Sequence, residues 1–382
     1  QTPKMKIYLF NPSCEMSVRS DAFNYTPPQN VATLEHDLAS LMMFLTNGPD
    51  DVVIVDRPDE RLLDMWFEAS QVPRFSSIDE AKSIVTTENF CPWGICRSAY
   101  HQMGLKTEAR NWHWRDFFSR KTSVDIEKLL PSDANAQLIN NVESFEKYIS
   151  SLETTESIVI KSLWSSSGRG VRFFHLANEH ETCRDYVGKC IKADGGVVLE
   201  KKLCRIAELS FIYNADGAFD VNIYHSSDVG TFGQEYLGVD RLKNFNDNLP
   251  VDWLQTAKQQ LDNAINNVVR QANYEGPIGI DAMLYRTASG SVALRMCTEI
   301  NVRHTMGHIG CAIANRFAQG TRAMWQMTYF RNAGEWDSFV EQQESLRPLH
   351  RNAEGQIVSG FFRLTPLSHN AHFGVSGVAE VA

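Results

Sequence analysis

Two polar residues near the end of one predicted strand, and a third on another strand, can hold a divalent cation. Asp281 lies within the apolar run 278-IGIDAMLY-285, and a second apolar run ends in Glu299, Asn301 and Arg303. Alternate residues of a strand share a face, so these last three side chains should point the same way, and Asp281 joins them if the strands pair. Carboxylate and amide oxygens suit Mg²⁺ that also holds phosphates and water. A guanidinium beside them suits developing negative charge on a phosphoryl or acyl group.

A lysine at the mouth of a serine- and glycine-rich loop is the second candidate feature, in 158-IVIKSLWSSSGRGV-171. Lys161 ends an apolar strand, and the loop 165–170 offers hydroxyls and backbone amides. Such a loop lets the backbone approach phosphate closely. It is not a Walker loop, because the Gly-Lys-Ser/Thr order is absent. Taken alone, the stretch fits a phosphate lid and an ordinary flexible hairpin equally well.

The third feature is the charged link in 197-VVLEKKLCRIAELSFIY-213. A predicted strand ends at Glu200, a short link from Lys201 to Leu203 follows, and the next strand carries Glu208. A link between two lobes can offer backbone donors and acceptors to the edge of a base. A carboxylate a few residues later can accept hydrogen bonds from ribose hydroxyls. The same pattern also fits an ordinary charged connection.

The elements that must position these residues are of two kinds. A strand from residue 5, a helix over 31–48 and a strand over 51–58 predict an open α/β layer that ends near residue 110. Residues 111–157 look helical and polar. Beyond them the pattern predicts an α+β region of antiparallel character, interrupted by one long helix over 252–273 with Asp252 as N-cap. Its predicted strands are 158–161, 171–176, 197–200, 208–213, 219–224, 278–285 and 292–300.

The order of the three features resembles the ATP-grasp superfamily, over roughly residues 115–325. The resemblance implies an α/β and α+β chain, with an ATP-grasp fold preceded by an open α/β N-terminal domain. The implied divisions are an N-terminal domain at 1–110, an ATP-grasp domain at 111–330 with a small lobe at about 120–200 and a large lobe at about 201–330, and a C-terminal extension at 331–382 packed on that body.

Site residues follow from the same resemblance, position by position. It implies catalytic roles for Lys161 and Arg303, and a basic nucleotide ligand upstream, which is Arg120 or Lys121. The implied magnesium ligands are Asp281, Glu299 and Asn301. The implied nucleotide contacts are Lys121, Lys161, Ser166, Ser167, Gly168, Gly170, Glu200, Lys201, Leu203 and Glu208.

The activity that the resemblance implies is ATP-dependent ligation of a carboxylate to an amine or similar nucleophile through an acylphosphate. ATP and two Mg²⁺ ions are the implied cofactors, with Mn²⁺ as an alternative metal. Two other functions stay open: an ATP-grasp small-molecule kinase and a non-catalytic nucleotide-binding protein. The second substrate should bind between the N-terminal domain and the metal strand, where Glu15 suits an amine and Arg19 or Arg241 suits a carboxylate. His304 and His308 either line that site or lie at the surface, and a zinc pair would lack a third ligand.

Composition and net charge limit the classes of molecule that we expect the protein to bind. The chain has 382 residues, a formal net charge of -9 and a pI of about 5.7, which disfavours nucleic acid as a partner. The longest apolar run, 38-LASLMMFL-45, is far shorter than the roughly 18 residues that cross a bilayer. The N-terminus also lacks the pattern of a signal peptide. We therefore expect a cytoplasmic protein with small carboxylate and amine partners, no membrane partner, and homodimerisation left open.

Overall fold

The computed structural model describes residues 5–106, 113–153, 155–164, 170–227, 230–236 and 249–381. Its first layer is a parallel sheet in the order β3-β2-β1-β4, flanked by five short helices. The strands are β1 (Ile7–Leu9), β2 (Val52–Ile54), β3 (Arg74–Ser76) and β4 (Phe90–Pro92). The helices are α1 (Cys14–Ser20), α2 (Gln29–Leu38), α3 (Glu60–Trp66), α4 (Ile78–Lys82) and α5 (Arg97–Gln102), with 3-10 turns at Ala39–Leu45 and Ala69–Gln71.

This layer confirms the open α/β prediction. Strands β1, β2 and β4 are short and largely buried, as expected for parallel strands covered on both faces, whereas the edge strand β3 is more exposed. The Asn11-Pro12-Ser13 turn ends β1 and leads directly into α1. The helix predicted over 31–48 is α2 followed by the 3-10 turn at Ala39–Leu45, so the apolar period continues while the helix type changes.

A small antiparallel sheet forms the second layer, in the order β5-β8-β6-β7. The strands are β5 (Gln137–Ile139), β6 (Ser157–Ser162), β7 (Val171–His175) and β8 (Val197–Lys201). A 3-10 turn at His113–Phe118 precedes α6 (Lys121–Glu127), and α7 (Val142–Ser150) and α8 (Leu176–Asp194) follow.

Two predictions for this part of the chain are wrong. Residues 111–157, predicted to be helical, include the strand β5. The expectation of one long helix among the strands is also wrong, because α8 is a second one. Its buried positions Cys183, Val187 and Cys190 have helical spacing, but their small or β-branched side chains give a weak apolar signal.

The large sheet has nine described strands in the order β13-β12-β9-β10-β11-β14-β17-β16-β15. They are β9 (Cys204–Tyr213), β10 (Phe219–Ser227), β11 (Gly230–Tyr236), β12 (Ile278–Arg286), β13 (Val292–Asn301), β14 (Thr321–Tyr329), β15 (His350–Arg351), β16 (Ile357–Arg363) and β17 (Phe373–Val381). The remaining helices are α9 (Trp253–Val268), α10 (Met306–Ile313) and α11 (Glu335–Leu346), with 3-10 turns at Arg270–Ala272 and Ala314–Arg316. Within the described ranges, no helix combines the length and the apolar character needed to cross a membrane.

Helix α6 packs against both sheets, and helix α9 packs on the large sheet and against α6. The buried face of α9, including Trp253, Leu261 and Ile265, packs with residues of β9 and β12 in one apolar core. Helix α6 lies against β13, where the Ser123 hydroxyl accepts a hydrogen bond from the Ile300 amide at 3.0 Å. The end of β13 is therefore held against the small lobe.

Candidate nucleotide and metal site

The predicted metal residues meet at the paired ends of β12 and β13. The two strands are antiparallel, with Asp281 directly opposite Glu299 and Gly279 opposite Asn301. The Asn301 amide donates to Asp281 Oδ2 at 3.1 Å, and the Ser210 hydroxyl donates to Asp281 Oδ1 at 3.2 Å. The structure therefore brings Asp281, Glu299 and Asn301 together, as predicted from the alternation of side chains along paired strands.

The electrostatics of this group suit a cation. Burial of Asp281, with the nearby charge of Glu299 adding to it, raises the pKa of Asp281 to about 7. A divalent ion would relieve both effects, because it favours the ionised carboxylates. No cluster of three His, Cys, Asp or Glu side chains suited to a metal occurs among the described residues. Two carboxylates and one amide oxygen leave positions for phosphate oxygens and water, which is how Mg²⁺ is commonly held in phosphate-transfer sites.

Arg303 links the predicted metal ligands (Asp281, Glu299 and Asn301, together called the metal group) to the N-terminal domain. Its guanidinium donates to Asn301 Oδ1 at 3.1 Å, to the His304 carbonyl at 3.0 Å and to Glu15 Oε1 at 2.9 Å. Burial opposes the charge of Arg303, but Glu15 outweighs burial and raises the pKa of the arginine. Glu15, which the sequence offered for binding an amine, is thus the partner of Arg303. Arg241 lies outside the described residues.

Arg120 is the upstream basic residue that reaches the metal group. It is buried, and its guanidinium donates to the Ser162 carbonyl at 2.8 Å and to Glu299 at 3.1 Å. Lys121 is exposed and lines a separate surface cavity with Arg115 and Trp164. Of the two neighbouring candidates, Arg120 is the one with a described contact to Glu299, and its role as the upstream nucleotide ligand stays a prediction.

Lys161 is the next-to-last residue of β6 and is buried. Its ammonium pairs with Glu200 Oε1 at 2.9 Å and donates to the Thr298 carbonyl at 2.9 Å. Gly170 ends the loop that follows Lys161, and its carbonyl accepts from the Ser162 amide at 2.9 Å. Ser166, Ser167 and Gly168 lie outside the described residues.

A buried quartet of charges surrounds Glu200. Arg295 donates to Glu200 at 2.7 and 3.0 Å and to Glu127 at 2.7 and 2.8 Å, and it is only 1% exposed. Burial alone would raise the pKa of Glu200, but Arg295 and Lys161 lower it to about 2. Two carboxylates and two cations thus balance in the interior. Sequence reasoning missed Arg295 and Glu127, although an arginine inside the apolar run 292-VALRMC-297 is as unusual as Asp281 in its own strand.

The predicted link from Lys201 to Leu203 joins the small sheet to the large sheet. Lys201 ends β8 and pairs with Glu156 at 3.0 Å, and Lys202 and Leu203 connect to β9 outside either strand. Glu208 lies on β9 opposite Met283 of β12 and pairs with Arg205 at 3.0 Å. The structure therefore places Glu208 on the strand beside the metal strand.

His304 and His308 do not form a metal pair in the described structure. His308 Nδ1 lies 2.9 Å from the Thr305 amide and its Nε2 lies 3.3 Å from the Tyr213 carbonyl. Burial lowers the pKa of His308 to about 4 and lowers the pKa of His304 as well. His308 is buried and His304 is half-buried, and their rings pack edge to face with centroids 4.9 Å apart next to the start of α10.

Together, the parallel N-terminal layer, the small antiparallel sheet and the large sheet that carries Asp281 and Glu299 form an ATP-grasp fold. Three solved structures resemble the whole chain at low sequence identity. An N5-carboxyaminoimidazole ribonucleotide synthetase in complex with ADP has a TM-score of 0.50 at 14% identity, covering 100% of this chain and 93% of its own. The Aspergillus clavatus N5-carboxyaminoimidazole synthase, with ADP and 5-aminoimidazole ribonucleotide, has a TM-score of 0.50 at 12% identity, with 99% and 94% covered. Campylobacter jejuni biotin carboxylase has a TM-score of 0.51 at 10% identity, with 99% and 88% covered.

Comparison of the sequence with family models and curated proteins identifies no relative. No protein-family model matches the chain, and no curated protein matches it. The three structures therefore establish the fold, and the chemistry must be argued from the residues of this chain.

Proposed function

We propose that the protein is an ATP- and Mg²⁺-dependent ligase that joins a carboxylate to an amine, or a similar nucleophile, through an acylphosphate. The observation that carries the proposal is the convergence of Asp281, Glu299, Asn301 and Arg303 at one end of β12 and β13. The ADP complexes of the two synthetases with the same fold support nucleotide binding here.

The metal group would act through its oxygens. Asp281, Glu299 and Asn301 would hold Mg²⁺, with two ions expected and Mn²⁺ as an alternative. The bound ions would supply neutralisation of the crowded phosphates. Arg303 is held by Glu15 and Asn301, so its guanidinium is oriented before substrate arrives and can stabilise negative charge as it develops.

The buried charge quartet of Glu127, Lys161, Glu200 and Arg295 would allow the Lys161 ammonium to bind a phosphate oxygen. The Lys161 ammonium bonds to Glu200 in the described structure. Arg295 holds the same carboxylate through two hydrogen bonds. Lys161 can therefore turn to a phosphate oxygen without leaving Glu200 buried and unpaired, an arrangement that would otherwise be costly. In this proposal Lys201 and Leu203 would contact the base, and Glu208 would accept hydrogen bonds from the ribose hydroxyls.

ADP release in the presence of pooled amino acids and small carboxylates tests the proposal. A ligase gives ADP, free phosphate and a joined product, whereas a kinase leaves the phosphoryl group on its product. A non-catalytic protein would bind Mg-ATP without releasing ADP. Mass analysis of the products separates the three results.

Thermal unfolding with Mg-ATP tests the metal group independently of any substrate. Ligand that binds only the native state should raise the melting temperature of the wild type. Glu299→Ala should remove most of that rise, while Glu354→Ala, a change at an exposed glutamate, should retain it. An equal rise in both variants would contradict the metal assignment.

A further inference from the structure

A cleft of about 910 Å³ opens at the carboxyl ends of β1, β2 and β3. Open α/β sheets bind ligands at this edge. Asn11, Asp56 and Ser76 contribute from the strand ends, and the segment around Leu367 closes the far side. Among the described residues, none that we assign to ATP or Mg²⁺ lines this cleft. It is therefore a recess separate from the nucleotide site.

Glu35, on α2, is a half-buried charge that lines the cleft. Its Oε1 accepts a hydrogen bond from the Ser13 amide at 2.9 Å, and burial raises the pKa of its carboxyl group. No lysine, arginine or histidine among the described residues forms an ion pair with it. A partly buried carboxylate in this condition gains from any cation that enters the cleft.

The other carboxylates of the cleft divide into structural and exposed groups. Asp37 accepts from the backbone amides of His372 and Phe373, at 2.8 and 3.0 Å. Asp59 accepts from the Arg363 guanidinium, at 2.6 and 2.9 Å. These two hold the C-terminal strands against the N-terminal layer. Asp56 is exposed and has no described cationic partner, so it adds a second negative charge at the mouth.

The cations of the cleft do not neutralise these groups. The Arg57 guanidinium pairs with Glu60 at 3.1 Å and lies over the Phe75 ring. His36 is exposed and lies 3.0 Å from Asp37, so it faces a carboxylate already used by the fold. The cleft is left with the charge of Glu35 inside and of Asp56 at the rim.

Aromatic rings form the remaining recognition surface. Phe23 is 44% exposed, and its ring lies 4.2 Å from the His101 ring at the edge of the cleft. Tyr25 also lines the cleft, and burial followed by the charge of Glu35 raises the pKa of the tyrosine. Exposed apolar rings beside a concave polar floor are characteristic of small-molecule sites.

We propose that this cleft binds an organic amine with a flat apolar or aromatic body, placing the ammonium at Glu35 and the body against Phe23 and Tyr25. The combination of one half-buried carboxylate without a described counter-ion, a negative rim and flanking aromatic rings selects this chemistry. The proposal goes beyond the nucleotide site and does not depend on ATP binding.

Calorimetric titration of the full chain without nucleotide tests the chemistry with three probes of similar shape. Tyramine carries the ammonium, 4-ethylphenol is uncharged, and 3-(4-hydroxyphenyl)propionate carries a carboxylate. Tyramine should bind at least about tenfold more tightly than 4-ethylphenol, since a charge-assisted hydrogen bond is lost in the latter. The carboxylate should bind more weakly still. Equal binding of all three probes, or preference for the carboxylate, would overturn the proposal.

Glu35→Gln tests the residue, because it removes the charge and keeps the size. It should weaken tyramine at least about tenfold, while Glu68→Gln, at an exposed position outside the cleft, should not. Phe23→Ala changes an exposed ring and provides a second test if the first variant folds poorly. It should weaken tyramine several-fold. Unchanged tyramine affinity in either folded variant would refute the assignment.

Mg-ATP separates this proposal from the proposed ligase activity. The rise in melting temperature with Mg-ATP should be the same in wild type, Glu35→Gln and Phe23→Ala. A protein that responds to Mg-ATP but does not bind tyramine would refute the amine site and leave the nucleotide site intact. A protein that binds tyramine but ignores Mg-ATP would do the reverse.

Discussion

Arg295→Met removes the guanidinium that pairs with two buried carboxylates and leaves its neighbours in place. Methionine keeps much of the volume and the unbranched shape, so the main change is electrostatic. Glu127 loses both hydrogen bonds from Arg295, and Glu200 keeps only Lys161. Breaking a buried ion pair from one side typically costs about 3–5 kcal/mol. We expect the free energy of unfolding at neutral pH to fall by that amount.

The pH dependence gives a second measure of the same quartet. The pKa of Glu200 is lowered from its ordinary 4.5 to about 2 in the folded protein. Its contribution is therefore complete above about pH 4.5 and is lost as the pH falls towards 2. The difference corresponds to about 3 kcal/mol. In Arg295→Met the pKa of Glu200 rises, because burial remains while its main cation is gone, so this acid-sensitive stabilisation should shrink.

Urea unfolding at several pH values, followed by tryptophan fluorescence, is the assay. Arg286→Met is the matched control, since Arg286 is exposed at the end of the neighbouring strand β12; its effect should stay within about 0.5 kcal/mol. Adding Glu127→Gln to Arg295→Met should recover part of the loss, because one uncompensated charge is removed. Two results together would refute this account of the quartet. The free energy of unfolding of Arg295→Met would fall by less than about 1 kcal/mol, and its decrease between pH 4.5 and 2 would match that of the wild type.

Three further changes test other contacts. Arg120→Met should abolish most of the Mg-ATP-induced rise in melting temperature while Lys121→Met should not, because only Arg120 contacts Glu299; equal effects in thermal unfolding would contradict this. Arg363→Leu should cost about 3–5 kcal/mol in urea unfolding, since it leaves Asp59 unpaired between the two ends of the described fold; a neutral result would show that the pair is solvated. Gly94→Ala should destabilise by about 1–3 kcal/mol, because an added Cβ would lie 2.2 Å from Cys14 Sγ; wild-type stability would mean that Cys14 moves freely.

Local patterns in the sequence predicted the parts of the site that lie on single strands or on adjacent ones. Asp281 and the Glu299–Arg303 stretch could be placed together because strand periodicity fixes the face and the short 286–291 connection favours pairing of neighbours. The three sequence features also occur in the order expected from the resemblance to the ATP-grasp superfamily. These predictions depend on the alternation of side chains along a strand and on the order of the features along the chain. Both can be read directly from the sequence.

The pairings across layers could not be read in the same way. Lys161 meets Thr298 and Glu200, and Arg295 meets Glu127, only after the small and large sheets pack together. The choice between Arg120 and Lys121 depends on the direction of each side chain relative to β13, which no local signal encodes. Each of these contacts is decided by tertiary packing.

The position of β17 has a consequence for how the chain can assemble during synthesis. β17 lies between β14 and β16 in the large sheet and pairs with β14 along its whole length. Until residues 373–381 emerge from the ribosome, β14 presents an open edge of unpaired backbone amides and carbonyls. Such edges recruit strands from other chains. Nascent chains halted between β14 and β17 should therefore be the species that most need chaperone protection.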